Sequence, residues 1–141
     1  MRSAVGREAL PPRVVQLGQI ALATDDVEGL CDFYRLLGGV ASPPCIDREA
    51  GLQSCILDFC GVRLELLERP DQGEGEAANG QSSGLVYLSF ALGTADAVDE
   101  ISGVIASAGY RVLEPPQRTC ETGCYESVVL DPDGNLLKLT V

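Results

Sequence analysis

Two segments decide the fold: Gly61-Val-Arg-Leu-Glu-Leu-Leu67 and Gly134-Asn-Leu-Leu-Lys-Leu-Thr140. Each follows a glycine with alternating apolar and polar residues, the period-two pattern of a strand with one buried face. Leu64 and Leu66 turn one way, Arg63 and Glu65 the other. Leu137 and Leu139 likewise oppose Lys138. The strands that open the two halves also match, Leu17-Gly-Gln-Ile-Ala-Leu-Ala23 against Leu85-Val-Tyr-Leu-Ser-Phe-Ala91. The chain is therefore an internal repeat. Gln19 is equivalent to Tyr87, and Glu65 to Lys138.

Working outward, each half reads strand, helix, then three strands. In the first half a strand is expected over 16–24, and Asp25 is expected to cap a helix with Glu28 completing a capping box. Val27, Leu30, Cys31, Tyr34 and Leu37 fall on one helical face, and Gly38-Gly39 stops the helix. Strands near 39–46, 52–59 and 62–68 follow. In the second half Val86, Leu88, Phe90 and Leu92 form one strand face. Thr94 caps a helix with an inner face of Val98, Ile101, Val104, Ile105 and Ala108, ended by Gly109. Strands near 110–114, 123–130 and 135–141 complete it, with Asp131-Pro-Asp-Gly134 a type I turn whose aspartates read as caps. The fold class is α+β, two βαβββ modules. A loose arm (1–13) precedes the first module (14–70). An acidic, glycine-rich linker (71–83) leads to the second (84–141), and together the modules make one domain.

The 141 residues carry 21 acids, 10 bases and no histidine, for a net charge of −11. That charge argues against nucleic acid or an anionic membrane surface as partner. No apolar run is long enough for a membrane helix, and the N-terminal stretch lacks the apolar core of a signal peptide. The expected setting is a reducing cytoplasm. The six cysteines, Cys31, Cys45, Cys55, Cys60, Cys120 and Cys124, then read as free thiols. The absence of histidine removes the usual general base and the usual transition-metal ligand together.

Four pieces resemble the glyoxalase / bleomycin-resistance / extradiol-dioxygenase (vicinal oxygen chelate) superfamily. They are Gln19-Ile-Ala-Leu-Ala-Thr-Asp-Asp26, Asp32-Phe-Tyr-Arg-Leu-Leu-Gly38, Arg63-Leu-Glu-Leu-Leu-Glu68 and Asp131-Pro-Asp-Gly-Asn-Leu-Leu-Lys-Leu139. The resemblance covers about residues 14–141. It implies two modules, each a curled mixed sheet with its helix outside, forming a cleft, and a homodimer. It also places the family's four metal positions at Gln19, Glu65, Tyr87 and Lys138. The first two keep the family pattern; the phenol and the ammonium break it.

Alternation independently turns Gln19, Arg63, Glu65, Tyr87, Ser89 and Lys138 toward that cleft. These six are the candidate ligand-binding residues, with Glu65, Tyr87 and Lys138 the candidates for any catalysis. A protonated Lys138 repels a divalent cation and offers Glu65 a partner. At about 4 Å and an effective dielectric near 20 the pair is worth roughly 4 kcal/mol before desolvation. The expectation is a glyoxalase/bleomycin-resistance-like protein binding a small organic molecule without a cofactor, with Glu65 and Lys138 paired. The net charge would steer cationic ligands toward it. The alternatives are a lyase, isomerase or dioxygenase-related enzyme using Zn, Ni, Mn or Fe, a metal-free enzyme using Lys138, Tyr87 and Glu65, or a pseudoenzyme that only binds a partner.

Overall fold

The computed structural model describes residues 16–46, 51–69, 84–119 and 123–141. The expected arm, the linker and Cys120 lie outside them. The first module runs β1 (Gln19–Thr24), α1 (Val27–Leu36), β2 (Val40–Ala41), β3 (Cys45–Ile46), β4 (Gln53–Phe59) and β5 (Val62–Glu68). The second runs β6 (Leu88–Ala91), α2 (Ala95–Ser107), β7 (Val112–Arg118), β8 (Tyr125–Leu130) and β9 (Leu136–Thr140). The sheets order as β1-β5-β4-β2, with β3 also on β4, and as β6-β9-β8-β7. In each, the first strand lies parallel to the last while the other pairings are antiparallel. The expected α+β repeat is thus present as two equivalent mixed sheets.

The strands expected over 16–24 and over Val86–Leu92 are shorter, Gln19–Thr24 and Leu88–Ala91, and Val86 is exposed rather than on a buried face. Three further features differ from the sequence reading. The strand expected over 39–46 is split into β2 and β3 by Ser42-Pro43-Pro44, since proline has no N–H for a ladder. The strand over 110–114 extends to Arg118 as β7, with two register shifts against β8. The N-cap of α1 is Asp26, not Asp25: its carboxylate accepts from Gly29 N at 3.0 Å. Thr94 caps α2 as expected, accepting from Ala97 N at 3.1 Å. Gly38, at φ +96°, takes the left-handed conformation that ends α1. Gly39 packs so close to Phe59 that a Cβ there would lie 2.6 Å from the ring.

The expected inner face of α1 is buried, but so is Phe33, on another side of the helix. The reason is tertiary. One side of α1 covers β4 and β5, and another faces the second module. Phe33 meets Tyr110 edge-on at 4.9 Å between ring centroids, and Tyr34 meets Phe90 at 6.3 Å. On α2, Val98 and Ile105 are buried, whereas Val104 and Ala108 are exposed and Ser102 is buried instead. Ser102 shares a 3.2 Å hydrogen bond with Ser127 on β8. One continuous core joins the modules through the helix-bearing sides of both sheets.

Candidate functional site

Each sheet has one face under its helix and one face turned away. Leu64, Leu66, Leu137 and Leu139 fill the helix side, so alternation turns Arg63, Glu65 and Lys138 to the other. In the first sheet, Gln19 stands opposite Arg63 and Ala21 opposite Glu65. Gln19 Nε2 reaches diagonally and donates to Glu65 Oε1 at 3.0 Å. In the second sheet Ser89 stands opposite Lys138. Lys138 Nζ lies 4.5 Å from the ring centroid of Tyr87, which sits just before β6, and 3.7 Å from Glu126 Oε1.

The six sequence-derived residues thus form two clusters of three: Gln19, Arg63 and Glu65 on one sheet, Tyr87, Ser89 and Lys138 on the other. The expected pairing of Glu65 with Lys138 is not made; among the described residues, no ion pair links them. The two strands that carry them belong to separate sheets joined through their helix sides. Repeat equivalence therefore does not bring them together within one chain. Lys138 takes Glu126 instead, and the register explains it. Val128 is opposite Lys138 and Glu126 opposite Thr140, so Glu126 is a diagonal neighbour on the same face. Sequence reasoning missed Glu126, although it is the only charge in Tyr125-Glu-Ser-Val-Val-Leu130 and lies two residues from Val128.

Between the modules lies a cavity of about 490 Å³. Its walls are apolar, with Ile20, Leu37, Phe59, Leu88, Phe90 and Leu92 prominent. Arg63 and Ser89 are among its lining residues, and among the described residues Arg63 is the only one of the lining with a charged side chain. Two of the six candidates therefore reach this cavity, one from each cluster. The helix-facing side chains Leu37 and Phe59 complete it, and their cavity role is invisible to a strand-alternation argument.

The Asp131-Pro-Asp-Gly134 turn is structural, as expected for Asp131. Gly134 N donates to Asp131 O at 3.0 Å. The buried Asp131 carboxylate accepts from Asp133 N, Asn135 N and Asn135 Nδ2 within the turn. It also accepts from Tyr34 Oη of the other module at 2.7 Å.

A sequence profile of the Glyoxalase/Bleomycin resistance protein/Dioxygenase superfamily matches residues 16–139. The chain belongs to this superfamily. Solved structures of the superfamily share its fold. A glyoxalase/bleomycin resistance protein/dioxygenase family enzyme from Burkholderia phytofirmans PsJN is 22% identical, with a TM-score of 0.66 over 89% of this chain and 98% of that one. The glyoxalase family protein from Enterococcus faecalis is 20% identical, with a TM-score of 0.69 over 89% and 97%. A lactoylglutathione lyase from Agrobacterium tumefaciens is 21% identical, with a TM-score of 0.65 over 93% and 95%. These likenesses define the superfamily fold alone. No curated protein sequence matches the chain significantly. Among the described residues, no helix is long and apolar enough to cross a membrane.

Proposed function

We propose that this superfamily member binds a small organic molecule, without a metal ion, in the cavity between its modules. The observation that carries the reading is the cavity itself. Its volume of about 490 Å³ falls within the roughly 300–1,000 Å³ typical of small-molecule pockets. An apolar wall whose lining includes Arg63 suits a molecule with an apolar body and one anionic or hydrogen-bond-accepting group, if the guanidinium turns to meet it. Arg63 would orient that group, and Ser89 offers a second polar contact. The chain's net charge of −11 favours cations at long range. That field is screened over about 8 Å at physiological salt, so Arg63, the charged residue of the lining, would govern the bound head group.

The metal positions of the superfamily support the metal-free reading. Gln19, Glu65, Tyr87 and Lys138 supply one carboxylate among an amide, a phenol and an ammonium. Hard cations want several oxygen ligands with net negative charge, and zinc or nickel would prefer imidazole or thiolate. Glu65 already accepts the Gln19 amide. Lys138 already serves Glu126 and Tyr87, contacts that both depend on its positive charge. A Schiff-base enzyme would have to give up both, so binding is the better reading of the site than catalysis.

We propose further that two copies associate. Among the described residues, β1 and β6 are the outer strands of their sheets. Apolar Leu17, Leu85 and Val86 beside them are 64%, 67% and 78% exposed. An unpaired edge flanked by apolar side chains is a template for association, and a second copy can bring the polar face of one sheet toward that of the other. Light scattering at micromolar concentration should give twice the chain mass; a monomer mass contradicts the dimer alone. Ligand binding is tested by thermal shift on chelator-treated protein. Aromatic carboxylates and sulfonates should raise the Tm, by about 2.7 kcal/mol of stabilisation at one hundred times Kd. Isosteric amines should not. Equal response to both classes, or none, contradicts the assignment.

A further inference from the structure

Away from the cavity, α1 and β4 bring two thiols together. Cys31 is buried on α1 and Cys55 on β4, and their sulfurs lie 3.2 Å apart. The pair is not sealed from solvent. Both line a second groove of about 210 Å³, walled by Glu28, Asp32, Arg35 and Pro44. That is room for a reagent of a few heavy atoms. We infer that Cys31 and Cys55 are an oxidation site, closed by a small peroxide to a disulfide that ties α1 to β4.

The register isolates this pair from its nearest rival. Cys45 on β3 stands opposite Ser54, so Cys45 and Ser54 share one face of the sheet while Cys55 points to the other, under α1. Cys45 is exposed and Cys55 is buried. Closure requires the sulfurs to approach by about 1 Å, to the ~2.05 Å of a disulfide. Helix α1 already packs on β4, so a small side-chain rotation suffices.

The chemistry balances with hydrogen peroxide as oxidant. Burial and the hydrogen bond shared with Cys31 push the Cys55 thiol up to about 11, so Cys55 keeps its proton at neutral pH. In the balanced step Cys31 sulfur attacks one peroxide oxygen, the O–O bond breaks, and the hydroxide leaves as water with the Cys31 proton, giving a sulfenic acid. Cys55 sulfur then attacks Cys31 sulfur, the S–O bond breaks, and the hydroxyl leaves as water with the Cys55 proton. In total, two thiols and one peroxide give one disulfide and two waters.

The test uses the full chain, oxidised with a few equivalents of hydrogen peroxide, blocked with iodoacetamide and mapped by mass spectrometry without reduction. The expected product is a Cys31–Cys55 linked peptide that dithiothreitol reverses. The bridge closes a loop between residues 24 apart, so the Tm should rise by roughly 10 °C. The rise should vanish in Cys31→Ser and in Cys55→Ser. The inference is overturned if both residues emerge alkylated, if Cys55 links to Cys45, if Cys31 proceeds to sulfinic acid, or if the bridge forms without raising the Tm.

Discussion

Tyr34 Oη donates to Asp131 Oδ2 at 2.7 Å across 97 residues of sequence, and both residues are buried. The bond runs from α1 of the first module to the turn before β9 of the second. It belongs to the contacts that make the helix-side core, rather than the polar sheet faces, the seam between modules. Tyr34→Phe removes one of four donors to the Asp131 carboxylate and should cost about 1–2 kcal/mol. Asp131→Ala also frees the Asp133 and Asn135 donors and should cost about 3 kcal/mol or more. Urea unfolding of both variants measures the difference. Equal costs would show that the turn does not depend on this carboxylate.

The same contact sets alkaline stability. Burial, with the Asp131 carboxylate beside it, pushes the Tyr34 phenol well above its ordinary value. The folded state thus holds a proton that the unfolded chain releases near pH 10. Its stabilisation is fully present below about pH 10 and is lost as pH rises further. Stability measured from pH 8 to 12 should fall beyond pH 10. Tyr34→Phe should flatten that fall, and an unchanged slope in the variant would refute the linkage.

The ion pair of Lys138 also makes a discriminating prediction. Lys138 and Glu126 are both partly shielded, at 31% and 16% side-chain exposure. A double-mutant cycle with Lys138→Met and Glu126→Gln should return a coupling of roughly 0.5–1 kcal/mol. The cycle with Lys138→Met and Glu65→Gln should return about zero in monomeric protein at low concentration. Coupling to Glu65 and not Glu126 would mean the sheets meet differently.

The helix caps are separable too. Asp26→Ala and Thr94→Ala should each cost about 1 kcal/mol, since each leaves a first-turn N–H without its acceptor. Asp25→Ala should change stability by under about 0.5 kcal/mol. Its side chain is 83% exposed, in a 3.8 Å contact with Arg69, and exposed pairs contribute little. Thermal unfolding of the three variants checks the order.

Much of this fold was legible because the repeat is written twice. Alternation around Glu65 and Lys138 located β5 and β9, and the glycines after each helix fixed its end. The N-cap was ambiguous because Asp25 and Asp26 are adjacent and chemically alike; only the backbone decides between them. Phe33 escaped because a single-stripe helical pattern cannot show a second packing partner. The cavity escaped for a related reason: Leu37 reads as core until the gap between modules is seen. The Glu65–Lys138 pairing failed because equivalence in a repeat fixes position within a module, not the distance between modules.

The central claim, metal-independent binding in the inter-module cavity with Arg63 orienting an anionic group, is tested most directly by fluorescence titration. Chelator-treated chain is titrated with 8-anilinonaphthalene-1-sulfonate, an apolar aromatic body bearing one sulfonate. The account predicts saturable binding at one probe per chain, unchanged by added Zn, Ni, Mn or Fe. Arg63→Ala should weaken it about tenfold, equivalent to 1.4 kcal/mol, and Glu65→Ala should leave it unaltered. Binding that appears only after metal is restored, and is lost in Glu65→Ala while surviving in Arg63→Ala, would contradict the account.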